Sequence, residues 1–521
     1  MSASIEQHHH QDPEKGAAHG VEDKPQTTLR EDVAAYGLEK VYERHGRIDL
    51  VPLPSDDPQD PFNWPSWKKH AVLLQVAFAA MMGPFSAAAT IPAFEQFVEE
   101  WGITITTASY TVSLVIIFIG TFPLLWAPIS NRIGRRPVLL ISFIFSAAMH
   151  LAGSYTNGYG SFMTVRVFQG IFLAPAQSIG ANMVKEMFFV DQLGQKTGIW
   201  TLLTSLGPPA APFFTGFIIY HTGRWEWILR VLAITNLVQF CLFLVLGPET
   251  MFNRPERTQA GSAVVEQPVH VEPTAWWKPY VTFKRRSNTP WKELPIEVVR
   301  PLTMFTKLPV FLPTLGYAVL FSYSNVLLTV EIPALLGRKA QLNSQQVGLQ
   351  FLGAILGGFL GELIAGRGSD AWMLYRTKKA GGERQPEFRL PFAIPGYLLG
   401  AMGIIVFSVQ LQNMEPGHWN VTPVVGVAFA IAGLQLVTTT VYSYALESQP
   451  PHLVGRVAPF ISLFRQIHAF AAPFFLSIPF EEWGDAKAGG LYAGLSGGVG
   501  LLTIAACLLY GRRWRQQGGT A

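Results

Sequence analysis

The chain has 521 residues, 14% of them charged and 49% hydrophobic, with a net charge of +4. A soluble protein carries about 25% charged residues, so the composition excludes a set of soluble domains and points to a polytopic helical membrane protein. Cys241 and Cys507 both lie in apolar runs without a Cys or His neighbour at metal-ligand spacing, which argues against a structural disulfide and against a zinc site.

Residues 1–68 read as a polar, largely disordered cytoplasmic tail. They lack the apolar core of a signal peptide, and His8, His9 and His10 within them are not read as a metal site. A helix needs about 20 apolar residues to cross a hydrocarbon core about 30 Å thick. Six stretches qualify in a first half at 69–248: 71–91, 106–127, 137–155, 161–183, 197–219 and 227–247. A Pro-rich and charged central loop follows at 249–305. Six more stretches fill a second half at 306–511: 308–330, 347–366, 390–411, 422–444, 456–479 and 488–511, before a short tail at 512–521. The predicted fold is all-α, with twelve transmembrane helices in two six-helix bundles. Parallel six-span repeats are a known transporter architecture.

Charge sets the orientation, because Lys and Arg accumulate in cytoplasmic loops. The segment after span 2 carries Arg132, Arg135 and Arg136. The one after span 8 carries Arg367, Arg376, Lys378, Lys379, Arg384 and Arg389, and the C-terminal tail carries Arg512, Arg513 and Arg515. The loop between spans 1 and 2 has Glu95, Glu99 and Glu100 but no Lys or Arg. Both termini are therefore expected in the cytoplasm.

Several motifs carry a family resemblance. "APISNRIGRR" (Ala127 to Arg136) resembles the signature loop of the major facilitator superfamily, "RVFQG" (Arg166 to Gly170) its span-4 motif, and "GPPAAPFFTGF" (Gly207 to Phe217) its Gly-Pro-rich antiporter motif in span 5. "GPET" (Gly247 to Thr250), "PSDDPQDPFNWPSWKK" (Pro54 to Lys69) and "PEFRL" (Pro386 to Leu390) are similar to stretches in the fungal twelve-span drug:proton antiporter branch. The resemblance extends from about residue 50 to near the C-terminus. It departs from the family at Ala127 and Asn131, where the family has glycine and aspartate, and at Ala211 and Thr215 in span 5. Asn131 carries no charge, so a weaker latch is expected in the first half, where Asp370 keeps the carboxylate in the second.

The resemblance implies gating roles for Asn131, Arg132, Gly134, Arg135, Arg136 and Asp370, a span-5 role for Gly207 and Pro208, and a coupling or substrate-orienting role for Arg166. Polar and aromatic residues near mid-span are the substrate candidates: Phe85 beside Pro84, Gln177, Tyr323, Asn325, Gln435 and Tyr442. Glu331, Glu362, Glu447 and His468 are the titratable candidates for proton coupling, with Glu362 also assigned to the gating region. Asn420 in "WNVT" is the one glycosylation sequon, on a short outer loop. There is no Walker loop, nucleophile elbow or zinc cluster, so neither an enzyme nor a cofactor is expected, and no basic aromatic surface suits nucleic acid.

The resemblance implies a monomeric secondary transporter in the plasma membrane that exports a small organic compound (a drug, toxin or secondary metabolite) by proton antiport with alternating access. An uptake carrier for an organic cation such as a polyamine and a non-transporting nutrient receptor are the alternatives.

Overall fold

The computed structural model describes residues 39–46, 50, 52–55, 57–252, 280 and 290–518. The expected disordered tail with His8, His9 and His10, and most of the central loop, lie outside the described residues. The chain divides into two compact units. Residues 1–57 with 254–272 form one, described mainly over the helix Glu39–His45. Residues 58–253 with 273–521 form the other, which holds all the long helices.

In the first half these helices are α1 (Ser66–Ala88), α2 (Ile105–Thr121, continuing as Pro123–Ile133), α3 (Arg135–Gly153), α4 (Tyr159–Met187), α5 (Val190–Thr222) and α6 (Glu226–Leu246). In the second half they are α7 (Leu308–Phe321, extended by irregular turns to Gly337), α8 (Leu352–Lys379), α9 (Ala393–Asn413), α10 (Thr422–Glu447), α11 (Pro451–Ala471) and α12 (Asp485–Gly518). No strand occurs among the described residues. Nine helical stretches there are long and apolar enough to cross a membrane, and α2 makes a tenth if its two arms count as one span. The predicted count of twelve is thus met by ten. α4 and α11 are long but carry Arg166, Gln169, Gln177, Lys185 and Glu186 in one, and Arg456, Arg465, Gln466 and His468 in the other, which lowers their apolarity.

Burial sorts the apolar side chains by solvent. Two cores join residues between Trp64 and Phe243, and one joins residues between Met304 and Cys507. Ile234, Leu237, Val238, Leu242 and Val245 on α6 are exposed, a stripe that only lipid would solvate favourably. Cys241 faces out on the same helix and Cys507 is buried, both as free thiols. On α8, Gly353, Gly357 and Gly361 recur every fourth residue, and each brings its backbone against α10 at Val424, Ala428 and Ala432.

Two predicted boundaries move. Span 2 continues past residue 127 to Ile133, with a 42° bend at Pro123, because proline lacks the N–H that would continue the ladder. Asn131 and Arg132 therefore sit on helix and not in a loop. Asp370 likewise lies inside α8, which runs to Lys379 instead of ending near 366. Local chemistry fixes other starts. Thr104 accepts the Thr107 amide at the head of α2, and Asn343 and Gln346 form a reciprocal cap on the short helix Ser344–Gln350 before α8. Before α1, Asp60 caps the turn Pro61–Asn63. Lys69 Nζ reaches the Phe62 carbonyl at 2.8 Å, and the Phe62 ring stacks on Phe189 at 4.9 Å. The end of the helices that carries Asn131–Arg136 and Arg389 is the basic end; Thr104, Gly223 and Asn343 lie at the opposite end.

Candidate functional site

Arg166 is fully buried in the first half. Its Nε donates to Thr111 O at 3.0 Å on α2. Nη1 donates to Ser86 O at 3.0 Å and Gln169 Oε1 at 3.1 Å. Nη2 donates to Ala87 O at 2.8 Å and Thr90 Oγ1 at 3.4 Å. Five neutral acceptors, from α1, the turn after it, α2 and α4 itself, thus take the place of a counter-ion, and the guanidinium has no ion pair among the described residues. Ser86 is shared: its hydroxyl meets His150 Nε2 at 2.7 Å, and His150 Nδ1 meets Ser146 O at 2.7 Å. Arg166 and His150 are both buried, neither reaching toward an interface. Sequence reasoning missed Ser86 and His150. A serine in an apolar helix and a lone histidine carry no signal until the fold brings them together.

At the basic end, the arginines of the family motif are satisfied from far along the chain. Arg135 donates to Asn131 Oδ1 at 2.6 Å and pairs with Glu186 at 3.0 Å. The Glu249 carboxylate accepts the backbone amides of Arg135 and Arg136, each at 3.1 Å, at the head of α3, where anions are favoured. Arg136 donates to the carbonyls of Gly247 and Leu244. Arg132 pairs with Glu297 at 2.8 Å. Gly134 holds φ +109°, and a Cβ there would collide with Glu249, so the turn requires glycine. The charge that Asn131 lacks is supplied by Glu186 and Glu249. Neither was picked out as a site, although "GPET" contains Glu249.

The second half repeats this arrangement. Arg389 is bound by Asp370 at 2.8 Å and Glu447 at 3.1 Å, with Arg384 also on Glu447 at 2.9 Å. Glu387 pairs with Arg515 at 3.0 Å. Glu447, expected among the coupling or substrate groups, lies in the ion network beside Asp370. Glu387 and Arg389 are the residues that "PEFRL" contributes.

The remaining candidates are dispersed. Gln177 Nε2 donates to Ala80 O at 2.8 Å, bracing α4 on α1. Phe85 is partly buried in the α1 segment after Pro84. Tyr323 and Asn325 fall in a π-helical turn of α7 at Ser322–Val326. Tyr323 lies edge-on to His468 with ring centroids 6.2 Å apart, and His468 Nδ1 meets Ser322 Oγ at 2.7 Å. Asn325 Oδ1 faces Thr329 at 3.4 Å. Tyr442 meets Tyr317 edge-on at 6.0 Å, and Tyr317 OH accepts from Arg465 at 2.9 Å. Asn420 is exposed, its side chain capping the Thr422 amide. No cluster of metal-ligating residues occurs among the described residues.

Two seams join the halves. At mid-height Gln435 Nε2 donates to Ser205 Oγ at 2.9 Å and also reaches Glu362 at 3.3 Å, and Gly120 on α2 packs against Gln466 on α11. Toward the opposite end Tyr110 stacks on Phe474 at 4.4 Å, and Gly216 on α5 meets Ser344 and Gly348 backbone to backbone. Within the first half, Gly207 brings α5 onto α1: a Cβ there would stand 2.7 Å from Met81 O and 3.1 Å from Pro84. The adjoining Pro208 removes a backbone donor from α5.

Comparison with known proteins agrees with this architecture. The family model for the Major Facilitator Superfamily matches residues 76–473. The MFS-type transporter pyvG of Aspergillus violaceofuscus is 28% identical over 88% of this chain and 83% of its own length. The MFS-type transporter penM of Penicillium rubens is 25% identical over 88% of both. The cycloheximide resistance protein of Candida maltosa is 25% identical over 81% of this chain and 75% of its own. A crystal structure of a POT family transporter in complex with 5-aminolevulinic acid superposes with a TM-score of 0.60 at 14% identity, covering 85% of this chain and 96% of that one.

Proposed function

The chain belongs to the major facilitator superfamily, and from that premise we propose that it exports a small organic compound from a fungal cell by proton antiport. The observation that carries this reading is the similarity to fungal transporters along most of the chain, one of them named for resistance to cycloheximide. That name supports a drug, toxin or secondary metabolite as the substrate class. The multi-pass fold places the protein in a membrane. We assign it to the plasma membrane, as a monomer with the basic end and both termini in the cytoplasm, an orientation that the arginine distribution supports.

Alternating access gives the seams a meaning. The contacts toward the opposite end, Tyr110 with Phe474 and Gly216 with Gly348, close the outer side. Rocking the two halves would part these contacts while the paired ion networks at the basic end come together. Gln177, Tyr323, Gln435 and Tyr442 then present amides and rings to a ligand between the halves. A bulky organic molecule stacks its apolar body there and is oriented by the few polar groups. The gating residues act on the equilibrium between the two states and do not touch the ligand.

The test is flux into proteoliposomes with cycloheximide and a panel of fluorescent organic cations, with and without an imposed pH gradient. Antiport predicts uphill movement of at least one compound against the proton flow. Flux that ignores the gradient for every transported compound contradicts it.

A further inference from the structure

Of the four titratable candidates in the second half, three are already engaged. Glu447 is held by two arginines, Glu362 meets Gln435 and His468 meets Ser322. Glu331 differs. It is 3% exposed, has no ion pair among the described residues, and its hydrogen-bond partner is the Ser477 hydroxyl. The charged and titratable groups that face it are Glu481 on the short helix Ile478–Trp483, and Asp485 and Tyr492 on α12. The nearby cation, Lys339, stands 3.9 Å from Asp485. A buried carboxylate that faces two other acids and has no ion pair among the described residues is placed to bind a proton.

The backbone on both sides of Glu331 departs from the α-helix. α7 is interrupted before it by the π turn Ser322–Val326 and directly after it by a second one, Ile332–Gly337. Such turns are rare and gather at functional sites. Pro333, Ala334 and Gly337 of the second turn line a small cavity together with Ile91, Pro92 and Ile105 of the first half. The residues that follow Glu331 therefore belong to the seam between the halves. Any motion that opens this seam shifts the segment that buries the acid. Tyr492, Tyr323 and His468 continue from it as a row of polar side chains inside the second half, with ring centroids 4.9 Å and 6.2 Å apart.

We propose that Glu331 is the carboxyl that loads the coupling proton, an assignment that rests on the antiport reading above. Its carboxylate takes one proton from outside water when the opposite end opens. The neutral acid is held by Ser477 while that end is closed. The proton returns to water at the basic end before the next cycle. Nothing is oxidised or reduced, and one proton enters for each one released.

The test is an infrared pH titration of the full chain in lipid, following the protonated-carboxyl C=O band. The wild type should show a band that disappears as pH rises. Glu331→Gln should lack it and Glu362→Gln should keep it. Ser477→Ala, which keeps the acid, should shift its frequency and midpoint. A titration unchanged in Glu331→Gln, or no titrating band in the wild type, overturns the assignment. The flux assay separates the two readings. Wild-type flux driven by the pH gradient, together with an unchanged band in Glu331→Gln, removes Glu331 alone. A band that titrates in a chain whose flux ignores the gradient removes antiport and, with it, the coupling role.

Discussion

Arg166 shows how a charge survives inside a membrane bundle without a counter-ion. Five oxygen acceptors surround one guanidinium, and only arginine has five donors in a fixed plane to meet them. Lysine has three. Arg166→Lys therefore leaves at least two buried acceptors unpaired, at about 1–3 kcal/mol each. The expected result is a lowered thermal midpoint in detergent together with loss of active export; an unchanged midpoint would show that the acceptors are met otherwise. His150→Gln tests the neighbouring contact. It keeps an acceptor for the Ser86 hydroxyl while removing the ring, and should cost about 1 kcal/mol, read in the same thermal assay. That Arg166 stands within an apolar run, where a charge is expensive, was legible in the sequence. Its partners were not, since most are backbone carbonyls that no residue type announces.

At the scale of the helix, ten of the twelve expected spans are long and apolar enough to cross a membrane among the described residues, and the ends were read poorly. Apolar run length locates a span, but a helix continues past the bilayer wherever its residues permit. α2 and α8 thus reach Ile133 and Lys379 and lift the gating motifs onto helix. The missing carboxylate at Asn131 suggested a weak latch, because sequence comparison looks for a partner at the same position. The fold brings Glu186 from α4 and Glu249 from beyond α6 to the same arginines. Asn131→Asp should consequently alter flux by less than about twofold. Glu249→Gln, which weakens two amide contacts at the head of α3, should lower it by about tenfold, the equivalent of ~1.4 kcal/mol. Equal effects of the two substitutions would contradict this division of roles. Gly207→Leu should abolish transport while the protein still reaches the membrane, since its side chain would enter the α1 backbone at Met81. Wild-type flux in that variant would show that α1 and α5 need not approach so closely.

For the whole molecule, composition was enough to exclude a soluble protein, and the repeated basic segments were enough to suggest two related halves. The two polar helices α4 and α11 explain why a count of apolar spans stops at ten. The groups that lower their apolarity are turned largely into the protein: Arg166, Gln169 and Gln466 are buried, and His468 meets Ser322 of α7. A ligand site shared between two halves cannot be read from either half alone, and Gln435 with Ser205 is a pair that only the assembled fold brings together. Export driven by protons is tested in cells by the intracellular accumulation of cycloheximide, fluorescent drugs and native metabolites with and without this chain, each with and without a protonophore. Accumulation of at least one compound should be lower in expressing cells, and the protonophore should abolish the difference. Higher accumulation in expressing cells, or a reduction that the protonophore leaves intact, would contradict proton-driven export.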